Sequence, residues 1–169
     1  NSEADERAVL KKMLDNFDAK FRQEYYGRAR ELDMTVDDII TLASIVEREA
    51  KIQSDRPVIA GVFYNRLNSS DMTMRKLQSC ATVQYIILNK EGRIKDILSE
   101  EDTRIDSPYN TYMNEGLPPG PISCPGEASV IAALYPEETD YLFFFAKGDG
   151  SHVFSRTFRE HVNAMNRLK

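Results

Sequence analysis

Six of the seven prolines fall in one stretch of the chain, between Pro108 and Pro136. Proline fixes the backbone angle φ and has no N–H to donate, so a stretch this rich in proline cannot form a regular helix or a central strand. We therefore predict a long Pro/Gly-rich loop over about 106–127. Long loops inside compact domains are uncommon and often functional. This loop is the first candidate for a functional segment.

The chain before this loop has the periodicity of helices, because apolar residues recur at three- and four-residue steps. Thr35 is a good N-cap for the second of these helices, with Asp37 and Asp38 in the first turn, where carboxylates suit the helix dipole. The predicted helices span 4–32, 36–51, 57–68 and 82–88, of which 82–88 could also be a short strand, although a helix is favoured.

The elements after the loop are shorter. A helix over 128–134 should stop at Pro136, and two strands over 141–146 and 152–155 are joined by turn residues. A capping box of Thr157 and Glu160 then opens a last helix, predicted over 158–168. Helices, an irregular region, a hairpin and a helix, in this order, predict an α+β fold with helices packed on a small antiparallel sheet.

Charge and composition exclude several classes of function. The chain has 27 acidic and 22 basic residues, a net charge of −5, so nucleic acid is not an expected partner. The longest apolar runs are far shorter than the ~20 residues that a membrane span requires. Two cysteines and two histidines at these spacings match no zinc signature, so neither a metal nor another cofactor is expected. A neutral polymer, a sugar or a protein is left as the partner.

Two glutamates in the second predicted helix are the most conspicuous polar groups. Glu47 and Glu49 lie on opposite shoulders of its wide apolar face, and positions two apart on a helix do not face each other. A half-desolvated glutamate is expected to have a raised pKa, which suits a general acid at neutral pH. The alternative is a surface glutamate paired with an arginine such as Arg48, Arg56 or Arg66. Periodicity alone does not choose between the two glutamates.

A series of short segments carries a more specific signal. It begins with Leu42-Ala-Ser-Ile-Val-Glu-Arg-Glu49 and continues through 58–67, 77–79, 82–85, 107–112, 116–122, 125–126, 133–136, 141–144 and 150–155. In this order the segments resemble the YceG-like family of endolytic murein transglycosylases, over about 33–168. The resemblance implies that 33–169 is the catalytic domain and that 1–32 is a helix or linker from a preceding LysM-like segment.

The resemblance implies a lytic transglycosylase that cleaves the β-1,4 bond between N-acetylmuramic acid and N-acetylglucosamine. It assigns catalysis to Glu47, the first glutamate of Ile-Val-Glu-Arg-Glu. Glu47 would protonate the glycosidic oxygen and then take the proton of the muramyl C6 hydroxyl, which closes on C1 and leaves a 1,6-anhydro end. One carboxylate then serves twice, whereas an ordinary glycosidase needs two. Glu49 is then expected to form a salt bridge or a supporting hydrogen bond.

The same resemblance provides candidate contacts to the glycan, of types that suit sugar rings. They are Gln78, Ser79, Thr82, Tyr85, Tyr109, Asn110 and Tyr112. Gln78 and Asn110 are expected to contact substrate or Glu47, whereas packing is an equal alternative for the tyrosines. The Pro/Gly-rich loop is expected to line the glycan groove and to face Glu47. His152 is either a groove residue or an ordinary strand residue, His161 is expected on the surface, and the apolar strands are expected in the core.

The two cysteines depart from the family pattern. Cys80 follows Leu-Gln-Ser where an aspartate is expected, and Cys124 stands where an asparagine is expected. Both fall in loops predicted to flank one groove, so a Cys80–Cys124 disulfide is our hypothesis, and an extracytoplasmic setting would permit it. Two free thiols are the alternative. The missing aspartate leaves open any role that the family gives to that carboxylate.

Peptidoglycan strands are the expected partner, with cell-wall synthesis proteins as a further one. The resemblance implies action at the extracytoplasmic face of the bacterial membrane, through an anchor that this sequence does not contain. Two alternatives stay open. One is a non-catalytic peptidoglycan-binding or scaffolding module, and the other is a hydrolase with a second carboxylate near Glu47, such as Asp106 or Glu115.

Overall fold

The computed structural model describes residues 5–168, which form seven α-helices and a two-stranded antiparallel sheet. The helices are α1 (Glu6–Lys20), α2 (Gln23–Glu31), α3 (Val36–Glu49), α4 (Arg56–Leu67), α5 (Cys80–Glu91), α6 (Glu127–Leu134) and α7 (Phe158–Arg167). The strands are β1 (Phe143–Ala146) and β2 (His152–Ser155). The predicted α+β class is confirmed. Ala4 and Lys169, the ends of the first predicted helix and of the predicted catalytic domain, lie outside the described residues.

Helix α3 lies at the centre of the fold and packs against α2, α4, α5 and α6. Its side chains from Leu42 to Val46 are buried, and each buried Leu, Ile or Val contributes about 1.5–3 kcal/mol relative to exposure. The predicted N-cap is confirmed, since Thr35 Oγ1 accepts from the Asp38 N–H at 3.1 Å and Asp38 Oδ2 accepts from the Thr35 N–H at 2.9 Å. The capping box therefore fixes where this central helix begins.

The prediction of one helix over 4–32 is wrong, because the chain bends between α1 and α2. Phe21 has φ −84° and ψ 83° and ends α1. Its ring is buried, with its centroid 5.6 Å from that of Tyr25 and 4.9 Å from that of Tyr26. Apolar residues continue at helical spacing across the bend, so periodicity could not reveal it. Burial of Phe21 and Tyr25 holds α2 on the core, whereas α1 has no buried residue.

The remaining predicted elements are confirmed, with small shifts at their ends. Helix α5 is longer than predicted and ends at Gly92, whose φ of 72° is left-handed. The hairpin pairs Phe143 with Ser155 and Ala146 with His152. The Thr157 capping box opens α7 as predicted. Among residues 5–168, no helix has both the length and the apolar character needed to cross a bilayer.

The segment 105–126 contains neither a helix nor a strand and is held by its own polar groups. Asn110 is fully buried, and its Nδ2 donates to the carbonyl oxygens of Thr103 and Ile105 at 3.1 and 2.7 Å. Near its far end the segment joins α3, because the Ile122 N–H donates to Ser44 Oγ at 2.9 Å. The irregular segment is thereby bound to the central helix.

Two helical glycines provide a test of this packing. A Cβ on Gly61, in α4, would lie 2.3 Å from the carbonyl oxygen of Glu137, whereas a Cβ on Gly27, in α2, would meet nothing within 4 Å. We expect Gly61→Ala to lower the free energy of unfolding by about 1–3 kcal/mol through overpacking. The matched control Gly27→Ala should raise it by about 0.5–1 kcal/mol through helix propensity. Urea denaturation measures both, and a stabilising Gly61→Ala would contradict the described contact.

Candidate active site

A cavity of about 680 Å³ opens between the carboxyl end of α3, the segment leading into α5, and the hairpin with α7. Its polar lining includes Glu49, Arg66, Gln78, Cys80, Tyr112, His152 and His161. The aromatic side chains of Phe143, Phe145 and Phe158 form much of the remaining wall. We call it the Glu49 cavity, because Glu49 is the one carboxylate that lines it among residues 5–168.

Glu49 is the last residue of α3 and is half-buried at the edge of this cavity. Its Oε1 accepts hydrogen bonds from Ser79 Oγ at 2.5 Å and from the Ala81 N–H at 3.3 Å. Ser79 is the N-cap of α5, and the Ala81 N–H belongs to the first turn, where backbone donors lack partners within the helix. The start of α5 therefore holds one carboxylate oxygen. Within the described part of the chain, the other oxygen, Oε2, has no hydrogen-bond partner.

Glu47 lies on the opposite side of α3, and its carboxylate is bound by neighbouring groups. Its Oε2 accepts from Ser129 Oγ at 2.6 Å and from the Gly126 N–H at 3.2 Å, and Arg56 Nη2 lies 3.7 Å from Oε1. The Ser129 hydrogen bond is the main reason that the pKa of Glu47 is lowered from its ordinary value. The expectation of a raised pKa is therefore wrong for Glu47. The alternative of an arginine partner is met by Arg56.

The residues predicted to contact glycan separate into two groups. Gln78 and Tyr112 line the Glu49 cavity. Ser79 does not line it, but its hydroxyl group donates a hydrogen bond to the Glu49 carboxylate. The other four are placed elsewhere: Thr82, Tyr85, Tyr109 and Asn110 do not line this cavity.

Packing within the protein accounts for these four residues, of which Thr82 and Asn110 are buried and Tyr85 and Tyr109 are half-buried. Thr82 and Asn110 are fully buried, and Thr82 Oγ1 donates to the Ser79 carbonyl oxygen at 2.8 Å, so direct sugar contact by either conflicts with the structure. Tyr85 and Tyr109 have ring centroids 4.9 Å apart and pack on each other. Neither Gln78 nor Asn110 binds Glu47. The expectation that they could contact the Glu47 carboxylate is therefore wrong.

The predicted disulfide is wrong, because Cys80 and Cys124 are free thiols that line different cavities. Cys80 Sγ lies 3.1 Å from Tyr112 Oη, and burial raises the pKa of the thiol. Cys124 lines a second cavity of about 430 Å³ beside α1, together with Pro121 and Pro125. Pro121 and Pro125 therefore face α1, whereas Pro118 and Pro119 line another cavity, between the start of α3 and the carboxyl end of α4. Of the predicted loop, Tyr112 alone lines the Glu49 cavity among the described residues.

The hairpin and α7 form a wall of the cavity, although the strands were expected in the core. Phe144 packs on Phe63, with centroids 5.7 Å apart, whereas Phe143 and Phe145 contact His161 at centroid distances of 5.6 and 5.5 Å. His161 is half-buried rather than on the surface, and burial lowers its pKa. Three consecutive phenylalanines place apolar groups on both faces of a strand. That pattern was the available signal that each face would be covered or would line a cavity.

His152 fastens this wall to the start of α4. Its backbone N–H and its Nδ1 lie 3.0 and 2.8 Å from Asp55 Oδ2, and its side chain is 2% exposed. Both interpretations of His152 hold, since it is a strand residue bound to Asp55 and it also lines the Glu49 cavity. Over residues 5–168 the structure shows no group of three or more His, Cys, Asp or Glu side chains that could hold a metal ion.

Comparison with known proteins identifies the class to which this fold and site correspond. The model of the YceG-like family matches residues 1–167, so the chain belongs to that family. The crystal structure of a YceG-like protein from Listeria monocytogenes superposes with a TM-score of 0.78 at 42% sequence identity. That match covers 95% of this chain and 48% of the Listeria chain.

Two curated relatives are both named endolytic murein transglycosylase. The Bacillus subtilis (strain 168) protein is 41% identical over 156 residues, which cover 92% of this chain and 41% of the relative. The Streptococcus pneumoniae (strain D39) protein is 35% identical over 170 residues, which cover 93% of this chain and 29% of the relative. The chain thus spans less than half the length of each relative.

The lowered pKa of Glu47 predicts a pH-dependent contribution to stability. A carboxylate whose folded-state pKa lies below its unfolded value of about 4.5 stabilises the protein above that value, and the effect is lost as pH falls through the folded pKa. We expect Glu47→Gln to be less stable than the wild type at about pH 7, with a smaller difference at about pH 3. The difference should be less than about 1 kcal/mol, because the carboxylate is partly solvent-screened.

Urea denaturation at the two pH values measures this difference. Glu115→Gln, at an exposed loop position, is the matched control and should show little change at either pH. A Glu47→Gln variant as stable as the wild type at neutral pH would contradict the described carboxylate contacts.

Proposed function

We propose that this chain is the catalytic part of a peptidoglycan lytic transglycosylase. It would cleave the β-1,4 bond between N-acetylmuramic acid and N-acetylglucosamine and leave 1,6-anhydro ends. Membership of the YceG-like family and the names of the relatives support the substrate class. The observation that carries the mechanism is that Glu49 is the single carboxylate lining the cavity among residues 5–168.

A single carboxylate suits this reaction because the nucleophile belongs to the substrate. The protonated carboxyl group donates its proton to the glycosidic oxygen as the bond from that oxygen to C1 of the muramyl sugar breaks. The same group, now a carboxylate, takes the proton of the C6 hydroxyl as its oxygen bonds to C1. The proton lost in the first step is recovered in the second, and no water is consumed. A hydrolytic glycosidase would need a second carboxylate beside the first.

We assign this carboxyl group to Glu49 rather than to Glu47, which the resemblance had indicated. A proton donor needs a free oxygen directed at the substrate, and Glu49 Oε2 has no hydrogen-bond partner within the described residues, whereas Ser79 and Ala81 hold Oε1. Glu47 Oε2 accepts two hydrogen bonds, and its lowered pKa favours the ionised form, which cannot act as an acid. Glu47 instead joins α3 to the amino end of α6.

The hydrolase alternative has less support. Asp106 and Glu115, the two candidates for a second carboxylate, are both exposed, and neither lines the Glu49 cavity. The alternative of a non-catalytic binding module predicts that glycan binds without turnover. Both alternatives differ from the proposal in the products that they predict.

The expected setting follows from the same family membership. We propose that the complete protein acts on glycan strands at the extracytoplasmic face of the bacterial membrane, where an anchor would hold it. Proteins of cell-wall synthesis are the proposed partners there. The resemblance to the family is what supports both this location and these partners.

Replacing each glutamate in turn tests the assignment. Glu49→Gln keeps the hydrogen-bond acceptor for Ser79 but removes the acid, so product formation should fall by at least about 100-fold. Glu47→Gln is the matched control on the same helix and should keep most of the activity. Mass spectrometry of purified glycan strands after digestion measures the anhydro ends, and circular dichroism confirms that each variant is folded.

Other outcomes of these experiments would identify a different catalytic residue or a different function. An inactive Glu47→Gln beside an active Glu49→Gln would return the catalytic role to Glu47. Reducing ends in place of anhydro ends would identify a hydrolase. Glycan binding without any cleavage by the wild type would identify a non-catalytic module.

A further inference from the structure

Gln78 has an unusual backbone conformation at the edge of the Glu49 cavity. Its φ of 52° is left-handed, a region that glutamine rarely adopts. The conformation is held on both sides by one residue, since the Gln78 N–H donates to the Thr111 carbonyl oxygen at 3.0 Å and the Ser79 N–H donates to Thr111 Oγ1 at 3.0 Å. Such conformations persist where the surroundings enforce them and are frequent at functional sites. The strain here presents an exposed glutamine to the cavity.

Arg66 fixes which end of the Gln78 amide faces the cavity. The Arg66 side chain is buried, and its Nη2 donates to Gln78 Oε1 at 2.7 Å. A guanidinium group has donors and no acceptor, so the glutamine must turn its oxygen, not its NH₂ group, toward Arg66. The guanidinium cannot turn away, because it also donates to the carbonyl oxygens of Met74, Lys76 and Leu142.

The Gln78 NH₂ group is therefore directed away from Arg66, and within the described residues it has no acceptor. An oriented pair of N–H donors at the wall of a cavity complements a carbonyl oxygen of the ligand. In a glycan of N-acetylated sugars the strongest neutral acceptor of this kind is the carbonyl oxygen of the 2-acetamido group. Removal of the acetyl group would leave an ammonium group, which has donors only and is repelled by the Arg66 charge.

We propose that Gln78 binds the acetamido carbonyl of the sugar next to Glu49 and thereby selects N-acetylated over de-N-acetylated glycan, with Arg66 as the residue that positions it. The inference rests on the proposed function, because it names the chemical group that the same site recognises.

The substrate test compares three forms of one glycan preparation: native N-acetylated strands, strands that have been de-N-acetylated, and the latter after re-N-acetylation with acetic anhydride. The wild-type rate of anhydro-end formation should fall about tenfold or more on the de-N-acetylated strands, the scale of one lost hydrogen bond plus an unfavourable charge. Re-N-acetylation should restore it. Equal rates on the native and de-N-acetylated strands would overturn the inference.

Two variants then show whether Gln78 is responsible for the selection. Gln78→Glu keeps an acceptor for Arg66 but presents an oxygen to the cavity in place of the NH₂ group. Gln78→Met has a similar length and neither a donor nor an acceptor, so it separates the effect of the lost donor from that of the added charge. Both should cleave native strands more slowly and should lose most of the wild-type ratio between native and de-N-acetylated rates.

Thermal unfolding establishes that the variants are folded, and the rate ratio is a readout that simple destabilisation would not change. If both variants kept the wild-type ratio between the rates on native and de-N-acetylated strands, Gln78 would not be responsible for the selection. The proposed function fails in a different way, since it is contradicted if the wild type releases no anhydro ends from native strands.

Discussion

The site depends on the burial of α3, because this burial fixes the rotation of the helix about its axis. Leu42, Ile45 and Val46 are buried among the neighbouring helices, so the two glutamates that follow must leave the helix on opposite sides. Glu47 meets Ser129 and the start of α6, and Glu49 meets Ser79 and the start of α5. The same helix thus uses one carboxylate to hold the fold together and presents the other to the cavity.

The part of the cavity that includes Gln78 is built from segments that are distant in the chain, and buried polar groups join these segments. Thr111 and Arg66 hold the strained backbone and the amide of Gln78, while Asn110 holds the irregular segment from within. Buried groups of this kind are costly when unpaired, so their satisfied hydrogen bonds define one arrangement. The cavity is therefore preformed, as the proposed catalysis by positioned groups requires.

Local signals in the sequence predicted most of the fold. The Thr35 N-cap and the Thr157 capping box mark helix starts through contacts among near neighbours, so they could be recognised from spacing alone. The bend at Phe21 could not, because it depends on the packing of that ring against Tyr25 and Tyr26. The resemblance to the YceG-like family supplied the class of protein, which the family comparison confirms.

The candidate site was harder to predict, because it depends on contacts between distant segments. Helical geometry placed Glu47 and Glu49 on opposite sides of α3, but only the positions of Ser129 and Ser79 show which side is closed and which lines a cavity. Likewise the Cys80–Cys124 pairing assumed one groove, whereas the two cysteines line separate cavities. Asn110 looked like a sugar ligand because of its residue type, yet its amide is bound to backbone groups of Thr103, Ile105 and Tyr112.

The most direct measurement is a crystal structure of the Glu49→Gln variant with an uncleaved N-acetylated glycan bound. We expect the scissile glycosidic oxygen to lie about 3 Å from the side chain of residue 49, within hydrogen-bond distance. We also expect an acetamido oxygen within hydrogen-bond distance of the Gln78 NH₂ group. A glycan seated on the Glu47 side of α3, with the Glu49 cavity empty, would contradict it.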